Sequence, residues 1–240
     1  MSTLSLVGAG LSWGVALIAL IAWAMMRRPR DRFMWTMGAL VALGWIAETI
    51  GIWAMYHQVR SGWVNTLSSL AELVLVLACI QIDRPRLKRL VLGSGILGLV
   101  LFGYAVLRQE DLTLWVTQGQ MFLSAVLSVA LLAALWSRLE VYDGRLLDDP
   151  RITIYLGLLG YTLTAVPILG TTMIIWSRYP DLARNMFLMF QVMVLVRGIL
   201  MVMAFLGFFN IYALRVNLSV AIVHMQSHFN WGTALKGSPN

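Results

Sequence analysis

The chain has 240 residues, of which 60% are hydrophobic and only 12% are charged. A soluble globular domain has about a quarter charged residues, so this composition excludes a water-soluble enzyme, a secreted disulfide scaffold and a disordered segment, and indicates an integral membrane protein. The net charge of +7 comes mostly from arginines in short segments between apolar runs. This placement favours contact with the anionic headgroups of a lipid bilayer over contact with nucleic acid.

Seven apolar segments reach or approach the length of roughly 20 residues that a bilayer-crossing helix needs. Because the connections between them are short, we expect consecutive helices to be antiparallel neighbours. In chain order the segments are about Leu4–Met26, Phe33–Tyr56, Trp63–Ile82, Leu90–Leu107, Thr113–Trp136, Ile152–Trp176 and Met186–Leu214.

The last part of the chain has a different pattern, with apolar residues at helical spacing on one face. These residues are Leu218, Ile222, Met225 and Phe229. Such a pattern is typical of an amphipathic helix that extends the last span or lies on the membrane surface. The sequence therefore predicts an all-α integral membrane bundle of seven transmembrane helices over residues 1–214, followed by an amphipathic cytoplasmic tail over residues 215–240.

The basic residues predict the orientation of this bundle. Of the 18 Lys and Arg residues, thirteen follow helices one, three or five or lie in the tail, and four lie on the opposite side. Cytoplasmic segments carry the excess of positive charge. We therefore expect an outside N-terminus and a cytoplasmic C-terminus in a multi-pass membrane protein.

Three ionisable side chains lie inside the predicted spans: Glu48, Glu72 and Arg197. Each costs at least roughly 2.5–3.5 kcal/mol at the centre of a membrane helix, so each needs a partner or a water-filled cavity. At 1.5 Å per residue, their depths below the outer helix ends are about 12, 14 and 17 Å. All three are therefore predicted to lie in one layer of the outer half and to share a site.

Other polar residues on helices three, five and six point to the same layer. They recur at spacings of three or four residues, which puts them on one helix face. The candidates are Ser68, Ser69, Gln120, Ser124, Tyr161 and Thr164. Together with the three ionisable residues, they predict a polar pocket in the outer half of the bundle.

Three roles for this charged set remain open: structural pairing of helices, a pocket for a ligand or ion, and a proton relay. Two carboxylates and one guanidinium leave an excess charge of −1. This excess favours a proton on one glutamate or a bound cation.

The sequence does not favour an enzyme or a cofactor protein. No Ser–His–Asp set, phosphate-binding glycine loop or pair of histidines lies within a span, and His224 and His228 fall in the tail. We therefore expect no catalytic residues and no metal. The lysines, Lys88 and Lys236, lie outside the predicted spans, which excludes a retinal Schiff base.

Several short motifs carry a resemblance to a known group of proteins. They are Ala47-Glu48-Thr49, Leu67-Ser68-Ser69-Leu70-Ala71-Glu72, Asp149-Pro150, and Arg197-Gly198 with Gly207-Phe208-Phe209. In these places the chain resembles small seven-transmembrane-helix membrane proteins of bacteria, many of them uncharacterised and some encoded beside signalling genes. The resemblance spans most of the chain and implies the seven-helix fold, a place in the bacterial inner membrane and a sensory association.

Our leading hypothesis is a receptor-like membrane sensor or binding module that signals to a separate membrane or cytoplasmic protein. One alternative is a structural subunit of a larger membrane complex or of a homo-oligomer, with Gly10 and Gly14 as its packing face. Another alternative is a small proton- or cation-coupled transporter. Helices one and four have few polar residues for a cytoplasmic gate, which disfavours the transporter.

Overall fold

A computed structural model of the chain describes residues 3–26, 31–57, 59, 62–109, 116–141, 149–175, 179 and 192–207. This part of the chain is helical and contains no strand. Five of its helices are long and apolar enough to cross a membrane, and two shorter apolar helical stretches, Gly10–Met25 within the first helix and Val192–Gly207, accompany them. The prediction of an all-α, multi-pass membrane bundle is confirmed.

The helices follow the predicted apolar segments closely. A 3₁₀ turn at Pro85–Leu87 links the third helix to the fourth. The helices are α1 (Thr3–Met25), α2 (Arg32–Tyr56), α3 (Gly62–Asp83), α4 (Lys88–Leu107), α5 (Thr117–Leu139), α6 (Pro150–Ile175) and α7 (Val192–Gly207). The predicted tail, with His224 and His228, lies outside the described residues.

Aspartates fix the starts of two of these helices. Oδ1 of Asp31 accepts a hydrogen bond from the backbone N–H of Met34 at 2.8 Å, and Oδ1 of Asp149 accepts one from the N–H of Arg151 at 2.9 Å. Both are N-cap bonds, which satisfy N–H groups that the first helical turn leaves free. Pro150 suits the first position of α6, since no N–H is needed there.

Consecutive helices pack as neighbours, and α3 also packs against α5. The interface between α5 and α6 lies at the centre of the core. Ala130 and Ala134 of α5 are fully buried there, as are Ile154 and Leu158 of α6. Small side chains on α5 allow the two backbones to approach closely, which is how membrane helices gain packing energy without a hydrophobic driving force.

Glycines bring α7 close to both α6 and α1. A Cβ atom placed on Gly157 of α6 would lie 3.2 Å from Cβ of Leu200 on α7. One placed on Gly198 of α7 would lie 2.6 Å from Cγ1 of Val15 on α1. The described part of α7 is therefore seated between α6 and α1, with little room for movement at Gly198.

Candidate functional site

The ion pair between Glu72 and Arg197 joins α3 to α7. Nη1 of Arg197 donates to Oε1 of Glu72 at 2.5 Å. The two side chains are 20% and 14% exposed, for Arg197 and Glu72 respectively. A charge-assisted hydrogen bond of this kind compensates part of the cost of placing both charges among apolar helices. The structure thus brings together two of the three ionisable residues that the sequence places in one layer.

Tyr161 of α6 holds the same guanidinium from a second side. The Arg197 guanidinium carbon lies 4.0 Å from the centre of the Tyr161 ring, which is a close cation–π contact. The tyrosine is buried. Arg197 is therefore held between a carboxylate on α3 and an aromatic ring on α6. Its position depends on where these two helices lie relative to α7.

Gln120 of α5 adds an amide to this site. Its side chain hydrogen-bonds to Tyr161, and the residue is only 5% exposed. Its Oε1 atom is buried and has no hydrogen-bond partner in the described part of the chain. A buried acceptor without a donor is costly, and most such atoms in proteins are satisfied by protein, water or ligand.

Glu48 of α2 lies within electrostatic range of Arg197 but forms no ion pair with it. It interacts electrostatically with both Arg197 and Tyr161. The side chain is half-buried and accepts no hydrogen bond from the described residues. The five residues Glu48, Glu72, Gln120, Tyr161 and Arg197 are called the Arg197 cluster below. With both glutamates ionised, its formal charge is −1.

Three other predicted pocket residues use their hydroxyl groups within their own helices. Ser68 and Ser69 donate to the carbonyl of Asn65 at 3.0 and 2.7 Å, and Thr164 donates to the carbonyl of Gly160 at 2.7 Å. Local bonds of this type are common for Ser and Thr in helices.

Ser124 lies deeper, in the interface between α5 and α6. It is buried, and its carbonyl accepts a hydrogen bond from Oγ of Ser128 at 2.7 Å. Ser128 in turn contacts Oγ1 of Thr162 at 2.9 Å. This bond joins α5 to α6 and belongs to their packing.

A second charged set lies at the opposite ends of the same helices, and the sequence analysis missed it. The Asp83 side chain, at the end of α3, is 0% exposed. Nη1 of Arg138 donates to both of its oxygens at 2.8 and 2.9 Å, and Nη1 of Arg151 donates to Oδ1 at 2.5 Å. The Tyr155 hydroxyl donates to Oδ2 at 3.1 Å.

Two more aspartates complete this set. Oδ2 of Asp149 accepts from Nε of Arg138 at 2.6 Å, and Oδ2 of Asp31 accepts from Nη2 of Arg151. The residues Asp31, Asp83, Arg138, Asp149, Arg151 and Tyr155 are called the Asp83 network below. It ties the start of α2 and the end of α3 to the end of α5 and the start of α6.

One sequence signal could have found this network. Asp31, Asp83 and Asp149 each stand at a junction that follows α1, α3 or α5, so all three lie on one side of the bundle. Arg138 and Arg151 lie on that same side. In the sequence they were used only to predict which side of the membrane is cytoplasmic. Three acids at three junctions predict pairing with such arginines.

The two charged sets share three helices. On α3, Glu72 and Asp83 are three turns apart, about 16 Å along the axis. On α6, Tyr161 and Tyr155 are less than two turns apart, about 9 Å. Gln120 and Arg138 lie near the two ends of α5. Rigid helices therefore connect the Arg197 cluster to the Asp83 network.

The described residues contain no group of three or more His, Cys, Asp or Glu side chains that could hold a metal ion. Lys88, which the sequence places before helix four, is the first residue of α4 and is exposed. It stands at the helix end, on the side of the Asp83 network.

No family model matches this chain, and neither does any curated protein or solved structure. The two charged sets are therefore the features of the chain that bear on its function.

Proposed function

We propose that the protein is a membrane sensor of the bacterial inner membrane with seven spans, its N-terminus outside and its C-terminus in the cytoplasm. In this arrangement the Arg197 cluster binds a ligand from the outer half of the bundle. The Asp83 network stands at the cytoplasmic face, where it passes the bound state to a separate membrane or cytoplasmic protein.

The observation that carries the proposal is the shared set of helices. A change in the pairing of Arg197 alters the contacts between α7 and both Glu72 and Tyr161. Since α3 and α6 also carry Asp83, Arg151 and Tyr155, a shift of these helices strains the hydrogen bonds of the network. Ion pairs of this kind have discrete partners, which suits a two-state element better than gradual deformation.

The energy of such a switch is within the range of known coupling. A ligand shifts an equilibrium only by its difference in affinity for the two states, and typical coupling free energies are about 1–3 kcal/mol. Replacing one partner of a buried ion pair changes the free energy by at least as much as this coupling energy. The Arg197–Glu72 pair alone therefore suffices as the ligand-sensitive contact.

A spin-label distance measurement tests this coupling. In a Cys79→Ala background, labels at Arg86→Cys and Val141→Cys report on the ends of the α3–α4 turn and of α5, where both residues are exposed. In lipid nanodiscs, we expect Glu72→Gln to move the mean distance by about 2 Å or to add a second population.

Ser68→Ala is the matched control for this measurement. Its hydroxyl lies one turn before Glu72 on α3 but bonds only its own helix, so its distance distribution should equal that of the parent. Identical distributions for Glu72→Gln, Arg197→Ala and the parent would show that the two charged sets are uncoupled, and the sensor proposal would be wrong.

A second candidate function is a structural subunit of a larger membrane complex. The observation in its favour is the open face of α1, where a Cβ atom on Gly10 or Gly14 would meet nothing within 4 Å in the described part of the chain. Small-residue pairs at this spacing allow close helix association in membranes. Cross-linking from this face in native membranes tests it, because a subunit would give one defined adduct and a free face would give none.

A further inference from the structure

Two acceptors near Arg197 are left without a donor by the described residues. Nη1 of the guanidinium donates to Oε1 of Glu72, and the guanidinium lies over the ring of Tyr161. Glu48 and Oε1 of Gln120 receive no hydrogen bond from the described residues. A positive group held by oxygen atoms would satisfy both acceptors.

We infer that the ligand of the Arg197 cluster is a small monovalent cation, held by the Glu48 carboxylate and by Oε1 of Gln120. This inference rests on the proposed function and names the chemical class of its ligand. The Gln120 amide hydrogen-bonds to Tyr161, and the Glu48 carboxylate, on a separate helix, interacts electrostatically with the same tyrosine.

The charge of the site selects a monovalent ion. Glu72 is neutralised by Arg197, so a single positive charge beside Glu48 brings the cluster to zero. A divalent ion would leave an excess of +1 among apolar helices, which carries the same kind of penalty as the excess of −1 that it replaces.

Two kinds of cation share this chemistry. An alkali metal ion takes carboxylate and carbonyl oxygens as ligands, and a primary ammonium donates N–H bonds to the same atoms. A quaternary ammonium has no N–H donor, so it cannot satisfy Gln120 Oε1. It therefore serves as the inert cation in the experiment.

Gln120 lies in the first turn of α5, about 4.5 Å along the axis from Thr117. Glu48 is half-buried, so part of its side chain is exposed.

Thermal unfolding of the full chain in lipid nanodiscs tests the inference. Tetramethylammonium chloride is replaced at constant ionic strength by sodium chloride, potassium chloride or ethylammonium chloride. At saturation we expect one of these to raise the unfolding midpoint by about 4 °C or more, because it binds the folded state. A shift with the alkali ions alone identifies a metal-ion site, and a shift with ethylammonium alone identifies an ammonium site.

Two variants check that the shift comes from the proposed ligands. Glu48→Gln removes the charge and Gln120→Leu removes the orphan acceptor, and either should weaken the apparent affinity at least tenfold. Ser68→Ala should retain the full shift. Because the two variants alter different helices, misfolding of one leaves the other as a test.

Equal midpoints in all four salts, or an undiminished shift in both variants, would overturn the cation inference. The spin-label result separates this failure from failure of the sensor proposal. If Glu72→Gln still changes the distance between the cytoplasmic labels, the coupling stands and only the ligand class is wrong. If neither effect is seen, both are wrong.

Discussion

Arg138 and Asp83 meet through one nitrogen, since Nη1 of the arginine lies 2.8 and 2.9 Å from the two carboxylate oxygens. The residues stand at the ends of α5 and α3, 55 positions apart in the sequence. Their contact closes the cytoplasmic end of the bundle in the proposed orientation.

Loss of the Asp83 charge should destabilise the protein strongly. Asp83→Asn keeps the shape of the side chain but leaves Arg138 and Arg151 facing a neutral amide in a buried position. Breaking a buried ion pair costs about 3–5 kcal/mol, and we expect about 3 because each arginine keeps a second aspartate. The free energy of unfolding in mixed micelles measures it.

Asp31→Asn is the control for that change. Asp31 is 46% exposed and pairs with Arg151, and asparagine retains the N-cap bond to Met34. The expected cost is below about 1 kcal/mol, as for exposed ion pairs. Equal costs for the two substitutions would contradict the central position of Asp83 in the network.

The two glutamates of the Arg197 cluster should respond in opposite ways to neutralisation. Glu72→Gln leaves Arg197 without its ion-pair partner and should cost about 3 kcal/mol. Glu48→Gln removes the carboxylate that lacks a hydrogen bond from the described residues, so without added cation it should be neutral or stabilise by about 1 kcal/mol. The free energy of unfolding of both variants in tetramethylammonium salt gives the comparison. A larger cost for Glu48→Gln would show that Glu48, and not Glu72, is the ion-pair partner of Arg197.

Two glycines on the packed helices α4 and α5 should respond differently to the addition of a methyl group. At Gly119 of α5 the added carbon would lie 2.7 Å from the Phe102 ring, whereas at Gly103 of α4 it would meet nothing within 4 Å. We expect Gly119→Ala to cost about 1–3 kcal/mol through overpacking. Gly103→Ala should stabilise by up to about 1 kcal/mol through helix propensity. If both substitutions stabilise, α4 and α5 are not in this close contact.

Cysteine labelling in cells tests the proposed orientation. The single native cysteine, Cys79, is fully buried and gives little background. Leu107, at the end of α4, is 88% exposed, and Val141, just after α5, is 72% exposed. A membrane-impermeant maleimide should label Leu107→Cys in intact cells and Val141→Cys only after permeabilisation. The reverse pattern would invert the topology.

The helices were predictable because membrane thickness fixes the length of an apolar segment. The same scale placed Glu72 and Arg197 at similar depth, and the structure joins them directly. Periodicity was less informative for Ser68, Ser69 and Thr164. It identifies a helix face, but it does not show that a hydroxyl bonds the carbonyl of its own preceding turn.

The Asp83 network was beyond the reach of periodicity because its bonds, apart from the one between Arg138 and Asp149, connect helix ends 55 to 120 positions apart. Equal predicted depth does not show which charged residues contact each other at a membrane surface, because water can solvate every charge there. Only the packing of α3, α5 and α6 removes water from Asp83 and commits its oxygens to particular arginines.

Gly198 and Val15 connect α1 to α7 at the position next to Arg197. Because the backbone of α7 rests against the Val15 side chain, rotation of α7 about its own axis is obstructed at the position next to Arg197. A bulkier residue at 198 would swing the guanidinium away from Glu72 and Tyr161 without altering any member of the cluster. Val15 therefore limits the rotation of α7 and fixes the direction in which the Arg197 side chain points.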